Sequence, residues 1–197
     1  MRKELHEILR ARGRTGLTWE VGTHATPADL TERLLGAGLV DDQPTPLAIG
    51  MVATHPPASA PAGVEVRRAG TPDEHLASAR IAAIAFGMPE PTEARPENDP
   101  RNVVYLAYLD GRPVARASAS FGEHAVSLFG GSTLPEARGR GAYRALVAAR
   151  WEDAVARGTP ALVTQASPMS RPILAKLGFR EVCEIRILLD RFASRPR

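Results

Sequence analysis

The hydrophobic and polar positions of this chain predict alternating strands and helices. Short apolar runs bounded by Gly, Pro, Asp or Asn are typical of strands, and longer segments that start at a capping residue or at Pro are typical of helices. From about residue 63 onward, the predicted strands span 64–68, 103–109, 113–120, 125–134, 161–165 and 180–189, and the predicted helices span 72–86, 141–157 and 168–177. The dipeptide Asp110-Gly111 predicts a hairpin turn between the second and third of these strands. The order predicts an α/β (α+β) fold with a central mixed sheet flanked by helices.

A shorter pattern of the same kind precedes this region. Residues 18–21 predict a strand, Thr26 predicts the N-cap of a helix over 27–35, and the apolar run 47–53 predicts a second strand. The same order of a strand, a helix that begins near Pro and another strand recurs over 161–189. The N-terminal segment is therefore either the remnant of a second, similar half or a generic βαβ-like unit, and the sequence leaves both alternatives open.

A linker separates the two patterns. Residues 54–62 contain three prolines and no apolar periodicity. We therefore expect an N-terminal extension over 1–58 and a main domain over 63–197. The extension is too rich in Leu, Val and Ile for a disordered tail, so we expect it to pack on the main domain or on a second copy of the chain, in a homodimer.

The stretch with the clearest chemistry joins the predicted strand 125–134 to the predicted helix 141–157. Gly139 and Gly141 let backbone N–H groups converge there without obstruction by a Cβ atom. The first turn of the helix adds unpaired N–H groups and the positive end of its dipole. Three cations share the same corner: Arg138, Arg140 and Arg144. This combination predicts an anion site, most simply for a phosphate.

Two sequence signatures identify the family that this corner resembles. The dinucleotide fingerprint and the P-loop are both excluded, because Arg144 occupies the place of the third Gly and no Gly-Lys-Ser/Thr is present. The segment Arg138-Gly-Arg-Gly-Ala-Tyr143 instead resembles the Arg-x-x-Gly-x-Gly/Ala loop that binds the CoA pyrophosphate in the GNAT N-acetyltransferase superfamily. The predicted helix that ends in Lys176-Leu-Gly-Phe179, followed by a strand, is similar to a second signature of that fold.

The resemblance implies a fold, an activity and a set of cofactor contacts. The strand 125–134 is expected to splay from its neighbour and to leave a cleft for the pantetheine arm of acetyl-CoA. A backbone N–H within 132–134 is expected to polarise the thioester carbonyl. The implied activity is the acetyl-CoA-dependent N-acetylation of an unidentified primary amine, on a small molecule or a peptide. The expected cofactor contacts are Ser132, Thr133, Leu134, Arg138, Gly139, Arg140, Gly141, Ala142, Tyr143, Arg144 and Ser167.

The chain departs from the family pattern at three positions. Tyr143 replaces the last Gly or Ala of the loop, and its ring either crowds the phosphates or points away from them into the core. Leu174 stands where the family places the Tyr that protonates the leaving thiolate, and Ser167 replaces an Asn. Ser170 is then the candidate proton donor and Glu123 the candidate general base. The alternative is a catalytically degenerate domain that binds acyl-CoA as a sensor or scaffold.

Composition and charge narrow the class of protein further. With 197 residues, 44% of them hydrophobic, the chain is long enough for one core and an appendage. The net charge is +3, but aromatic residues are only 5% and no long basic run occurs, so a nucleic-acid partner is not expected. The lone Cys183 and the lack of a signal-peptide core or a membrane-length apolar run predict a cytoplasmic protein without a membrane partner. No His/Cys spacing indicates a metal.

Overall fold

The computed structural model describes residues 2–43, 45–59, 61–93 and 99–192. It contains five α-helices in these ranges: α1 (Arg2–Ala11), α2 (Leu30–Gly36), α3 (Pro72–Phe86), α4 (Ala142–Ala156) and α5 (Arg171–Lys176). It contains nine strands in the same ranges: β1 (Gly16–Gly22), β2 (Val40–Asp41), β3 (Leu47–Ala53), β4 (Glu65–Arg68), β5 (Asn102–Leu109), β6 (Arg112–Phe121), β7 (Val126–Thr133), β8 (Leu162–Ala166) and β9 (Arg180–Arg191). No described helix is long and apolar enough to cross a membrane.

The chain forms two compact units, which we call unit 1 and unit 2. Unit 1 comprises Met1–Gly50, Ala166–Arg171 and Val182–Arg197, and unit 2 comprises Met51–Gln165 and Pro172–Glu181. The division between 1–58 and 63–197 that the sequence suggests stays a prediction. Unit 1, however, combines the N-terminal segment with the last strand of the chain.

Most predicted elements are confirmed within two residues, and two helices start later than predicted. The helix 72–86 and the strand 47–53 match α3 and β3. The turn at Asp110-Gly111 has positive φ at both residues, as a tight hairpin requires. Thr26 does not cap α2, because the chain turns over 27–30 and the helix starts only after Asp29. The predicted helix 168–177 shortens to α5, which is preceded by a turn.

The sheet of unit 2 has the strand order β8-β7-β6-β5-β4. All its neighbours are antiparallel except β7 and β8, which are parallel. Leu106 of β5 packs against Ile81 of α3, whereas the next residue back, Tyr105, hydrogen-bonds Asp153 of α4. Because successive strand residues face opposite sides, α3 and α4 cover opposite faces of this sheet.

Helix α3 begins where its sequence provides a complete cap. The Thr71 hydroxyl accepts the N–H of Glu74, and the Glu74 carboxylate accepts the N–H of Thr71 in return. Pro72 occupies the first turn, where its missing N–H costs nothing. Gly87 ends the helix in the left-handed conformation, with φ of 64°. The orphan N–H groups at this helix start are therefore satisfied within the chain.

A charged contact ties α4 to two strands of unit 2. The Arg68 guanidinium donates to both oxygens of Asp153, at 2.9 and 2.5 Å, and the Tyr105 hydroxyl donates to the same carboxylate. Burial raises the pKa of Asp153, but the hydrogen bonds from Arg68 and Tyr105 outweigh it and hold this pKa below its ordinary value. The carboxylate therefore stabilises the folded state most when it is ionised.

Unit 1 is organised around the last strand. β1 pairs antiparallel with β9 along its whole length, from Gly16 opposite Arg191 to Gly22 opposite Ile185, and β2 also pairs with β9. The buried core of this unit consists of Val21, Leu34, Leu39 and Leu188. The helix α1, which the sequence did not predict, is held by His6, whose Nε2 lies 2.8 Å from the buried carboxylate of Asp190.

Asp153→Asn should destabilise the protein by about 1–3 kcal/mol at pH 7, because Arg68 loses its ionised partner. Since the folded-state pKa of Asp153 is lowered, its contribution is present above the unfolded value of about 4 and is lost as the pH falls through the folded value. The gap between wild type and variant in urea denaturation should therefore shrink below about pH 4.

The control is Asp29→Asn, which removes an exposed carboxylate that pairs with Arg33 four residues away. Its effect should stay below about 0.5 kcal/mol. A gap for Asp153→Asn that is equally small at pH 7 would contradict the prediction.

Candidate functional site

The candidate site lies in unit 2, where β7 separates from β8. The two strands pair at only three positions, and the last pair joins Leu128 to Thr164. The Thr164 hydroxyl donates to the Leu128 carbonyl at 2.9 Å, which ends the ladder. Among the described strands, β7 then pairs only with β6 as it continues to Thr133. The outer edge of β7 is thus open beyond Leu128, as expected for the splayed strand.

A bulge interrupts β7 directly after this separation. Arg116 faces Ser132 and Ser118 faces Phe129, so that Gly130 and Gly131 together oppose a single residue of β6. Gly130 has φ of 60°, a conformation that favours glycine. The bulge therefore shifts the part of β7 that follows it, including the predicted 132–134 segment.

The backbone N–H groups after the bulge alternate between the two edges of β7. The N–H of Leu134 donates to the Val114 carbonyl at 2.9 Å, so it is occupied within the sheet. The N–H of the preceding residue, Thr133, consequently points to the open edge. The resemblance implies that one of the three backbone N–H groups within 132–134 polarises a carbonyl. Of these, the N–H of Thr133 is the one that can reach a carbonyl at the open edge.

The glycine loop after β7 leads into α4 without a cap. Gly139 and Gly141 both adopt left-handed φ angles, 77° and 84°. Gly141 is the N-cap residue, and no described side chain caps the helix there. The first turn, which includes Ala142 and Tyr143, therefore presents N–H groups that the helix itself does not satisfy. This start contrasts with that of α3, where Pro72 has no N–H and the capping box satisfies the N–H of Glu74.

The three arginines of the loop have different surroundings. Arg138 is exposed, and Arg140 lies 3.3 Å from Asp110 of the β5–β6 hairpin in an exposed pair. Arg144 is half-buried, and its buried Nε has no hydrogen-bond partner among the described residues. Such an unpaired donor beside an uncapped helix start favours an anionic ligand.

Tyr143 turns towards the sheet and lies across the bulge. A Cβ atom placed on Gly131 would stand 2.7 Å from Cε2 of the Tyr143 ring, so the ring is in contact with the glycine backbone. Of the two orientations that the sequence left open, this is the one directed away from the loop. The absence of a side chain at Gly131 makes room for the aromatic residue that replaces the family's small one.

A buried arginine on α4 underlies the same region. Arg150 is 1% exposed, and it donates from Nε to the Leu146 carbonyl at 2.9 Å and from Nη1 to the Ser118 carbonyl at 3.2 Å. Burial lowers its pKa, and the neighbouring Tyr143 side chain only partly offsets this. Sequence reasoning missed this residue, since an Arg on an amphipathic helix usually faces solvent.

A second arginine holds the bulge from the α3 side. Arg116 donates to Ser78 Oγ at 3.0 Å, to the Gly130 carbonyl at 2.5 Å and to Ser118 Oγ at 2.6 Å. Burial, reinforced by the charge of Arg150, lowers the pKa of Arg116 to about 10, so it stays protonated at neutral pH. The sequence gives one signal for a special role of Arg116: it is a charged residue between two alanines inside the predicted strand 113–120.

The remaining candidates are described by their own surroundings. Ser167 and Ser170, in unit 1, hydrogen-bond each other's backbone and side chains in the turn before α5. Leu174, in unit 2, is 1% exposed, so a Tyr at this position would overfill the core. Glu123 is exposed in the turn before β7, and the four steps from Val126 to Gly130 place it more than about 13 Å from the bulge along the strand.

Comparison with known proteins identifies the fold. No protein-family model and no curated protein matches the sequence. Among solved structures, a GCN5-related N-acetyltransferase from Kribbella flavida has a TM-score of 0.71 at 22% identity, over 98% of this chain and 75% of that chain. The corresponding enzyme from Sphaerobacter thermophilus has a TM-score of 0.66 at 18% identity, over 98% and 67%. A tandem GNAT protein from the clavulanic acid biosynthesis pathway has 0.64 at 16%, over 98% and 69%. The protein therefore has the GNAT fold that the sequence predicted.

Gly131→Ala should destabilise the protein by about 1–3 kcal/mol, because the new methyl group would overlap the Tyr143 ring. In a Tyr143→Ala background the same change should cost less than about 0.5 kcal/mol, since the ring is gone. Urea denaturation of the four proteins measures this coupling.

Gly22→Ala serves as the control, because a Cβ atom there meets nothing within 4 Å. Equal costs of Gly131→Ala in the two backgrounds would show that the ring does not occupy this place.

Proposed function

We propose that this protein is a cytoplasmic N-acetyltransferase that uses acetyl-CoA as acetyl donor and a primary amine, on a small molecule or a peptide, as acceptor. The observation that carries the proposal is the uncapped start of α4 directly beyond the open edge of β7. The uncapped helix start suits the pyrophosphate of CoA, and the open edge of β7 suits its extended pantetheine arm. The GNAT fold of the chain supports the same activity.

The residues of the loop would hold the phosphates. Gly139 and Gly141 expose backbone N–H groups, and Arg138 and Arg144 add positive charge to the positive end of the helix dipole. Bound acetyl-CoA supplies an acyl group activated as a thioester. Because CoA carries about four negative charges, this corner can recognise it without a metal ion.

The chemistry requires an amine to attack the acetyl carbonyl while the bond to sulfur breaks. The N–H of Thr133, at the open edge of β7, would donate to the carbonyl oxygen as negative charge develops there. The attacking amine must lose a proton, and the departing thiolate gains one from a donor or from water. Ser170 remains our candidate donor and Glu123 our candidate base, although the latter stands far along the strand from Thr133.

A domain that binds acyl-CoA without turnover is the second candidate function. The buried Leu174, in the place of the family's Tyr, favours it, since a hydrocarbon side chain cannot donate a proton. The Ser170 hydroxyl is also engaged, at 3.3 Å from the Ser167 carbonyl. Thiol release in the presence of acetyl-CoA and a panel of amines separates the two candidates, because only an acetyltransferase produces free CoA in an amine-dependent way.

Arg144→Gln should weaken the binding of CoA about tenfold or more, because it removes a charge beside the helix start. The binding of pantetheine, which lacks the phosphates, should not change. Isothermal calorimetry measures both affinities. A substitution of Gly141 would be less informative, because its left-handed φ and its contact with Pro61 would strain any side chain regardless of ligand.

The matched control is Arg67→Gln, which removes the same charge from an exposed arginine of unit 2 that is paired with Glu65. CoA affinity should be retained there. If Arg144→Gln, in a folded protein, binds CoA as tightly as wild type, the loop does not hold the phosphates.

Ser170→Ala should lower kcat by less than about tenfold, below the 10²–10⁴-fold contribution of a dedicated general acid. The reason is that the Ser170 hydroxyl already accepts the N–H of Ser167 and donates to the Ser167 carbonyl within the local turn. Ser167→Ala, which perturbs the same turn without removing that hydroxyl, is the control. A hundredfold loss confined to Ser170→Ala, with CoA binding intact, would identify Ser170 as the acid.

A further inference from the structure

Arg116 is a cation without an acidic partner among the described residues. A guanidinium has five N–H donors, and three of them reach neutral acceptors, namely the Ser78 and Ser118 hydroxyls and the Gly130 carbonyl. No described carboxylate lies within salt-bridge distance of Arg116 or of the buried Arg150, although most arginines on the exposed surface of unit 2 are paired, such as Arg67 with Glu65. Two N–H groups and the full charge therefore remain available.

An uncompensated charge in such surroundings is costly unless a ligand offsets it. Arg116 is largely buried, and Arg150, packed against the same strand, adds repulsion. Charged groups that are buried without an ionic partner destabilise a protein, and groups of this kind concentrate at functional sites. The arrangement is therefore better suited to the bound protein than to the free one.

A second observation on the same face of the sheet also indicates a ligand. Ser132 lies directly opposite Arg116 in the β6–β7 ladder, so the two side chains share the α3 face. Ser132 is 8% exposed, and its buried Oγ has no hydrogen-bond partner among the described residues. Phe129, opposite Ser118 on the same face, is 46% exposed. A cation, a vacant hydroxyl and an exposed aromatic ring thus lie around one bulge.

We propose that the amine acceptor of this protein carries a carboxylate, which binds Arg116 on the α3 face of the bulge. This inference rests on the proposed acetyltransferase function. The open edge of β7, where the Thr133 N–H would meet the thioester, starts at the same bulge. A molecule that bears both groups would be anchored by its carboxylate while its amine reaches the carbonyl. Phe129 would cover its apolar part.

Paired acceptors test the proposal. Each pair consists of an amino acid and the amine that lacks its carboxylate: glycine and methylamine, lysine and cadaverine, phenylalanine and phenethylamine. The wild type should prefer the carboxylate member of at least one pair by about tenfold or more in kcat/KM. Arg116→Gln should abolish that preference by lowering kcat/KM much more for the amino acid than for the amine, mainly through KM. Arg67→Gln, which removes the same charge elsewhere in unit 2, should leave the preference intact.

Two outcomes would overturn the proposal. One is a wild type that prefers the decarboxylated member of every pair. The other is an Arg116→Gln variant that lowers kcat/KM equally for both members, because the guanidinium would then only hold the bulge through Gly130. This ratio separates recognition from a structural effect, since a distorted strand affects both acceptors alike.

A second variant covers the case in which Arg116→Gln does not fold. Phe129→Glu places a carboxylate on the exposed position beside Arg116, where it would pair with the guanidinium and occupy the site. Both changes remove the ring that would cover the acceptor, so we expect both to lower kcat/KM for either member of a pair. Phe129→Glu should also abolish the preference for the amino acid, whereas the neutral Phe129→Gln should keep it. A preference that survives in Phe129→Glu would contradict the proposal.

Direct binding distinguishes failure of this inference from failure of the proposed function. If the wild type binds CoA but turns over none of the six compounds, the acetyltransferase proposal fails for these acceptors. The melting temperature of the CoA-saturated protein then decides the role of Arg116. A rise with an amino acid in the wild type, but not in Arg116→Gln, supports the carboxylate site, and no such rise refutes it.

Discussion

The separation of β7 from β8 constrains the rest of unit 2, because a strand that loses its neighbour exposes backbone groups on one edge. Side-chain donors satisfy some of these backbone groups. The Thr164 hydroxyl donates to the carbonyl of Leu128, where the pairing of β7 with β8 ends, and the bulge then shifts the rest of β7. Arg116 satisfies the Gly130 carbonyl within the bulge. A buried guanidinium is thus part of what keeps the edge open, and its charge is available there as a consequence.

The two glycines of the bulge serve different purposes. Gly130 supplies a left-handed backbone conformation, whereas Gly131 supplies space for the ring of Tyr143. The departure of the phosphate loop from the family pattern at Tyr143 is therefore matched by a small residue on the neighbouring strand. Read alone, Tyr143 suggests a crowded cofactor site. Because the ring of Tyr143 packs against Gly131 of β7, the loop accommodates this large side chain without placing it over the loop's N–H groups.

The sequence could predict what depends on local signals. The helix α3 has a complete cap and a terminal glycine, and the β5–β6 hairpin has its turn residues, so both were placed correctly. The GNAT fold followed from two motifs in the right order. Pairing across the chain could not be predicted in this way. Arg150 has the pattern of a surface residue, and only its contact with the Ser118 carbonyl of β6 shows why it is buried. The role of Arg116 depends on a register shift that no local pattern encodes.

Unit 1 imposes an order on how the protein can be assembled during synthesis. The strand β1 is synthesised well before β9, its partner over the full length, with the described strands of unit 2 between them. Until then Val21 and Leu34 lack Leu188, which completes their core. These apolar side chains therefore stay without that partner until β9 has been made, and the pairing of β1 with β9 closes a long loop. For a nascent chain, β1 and α2 are consequently a segment that needs protection from premature association.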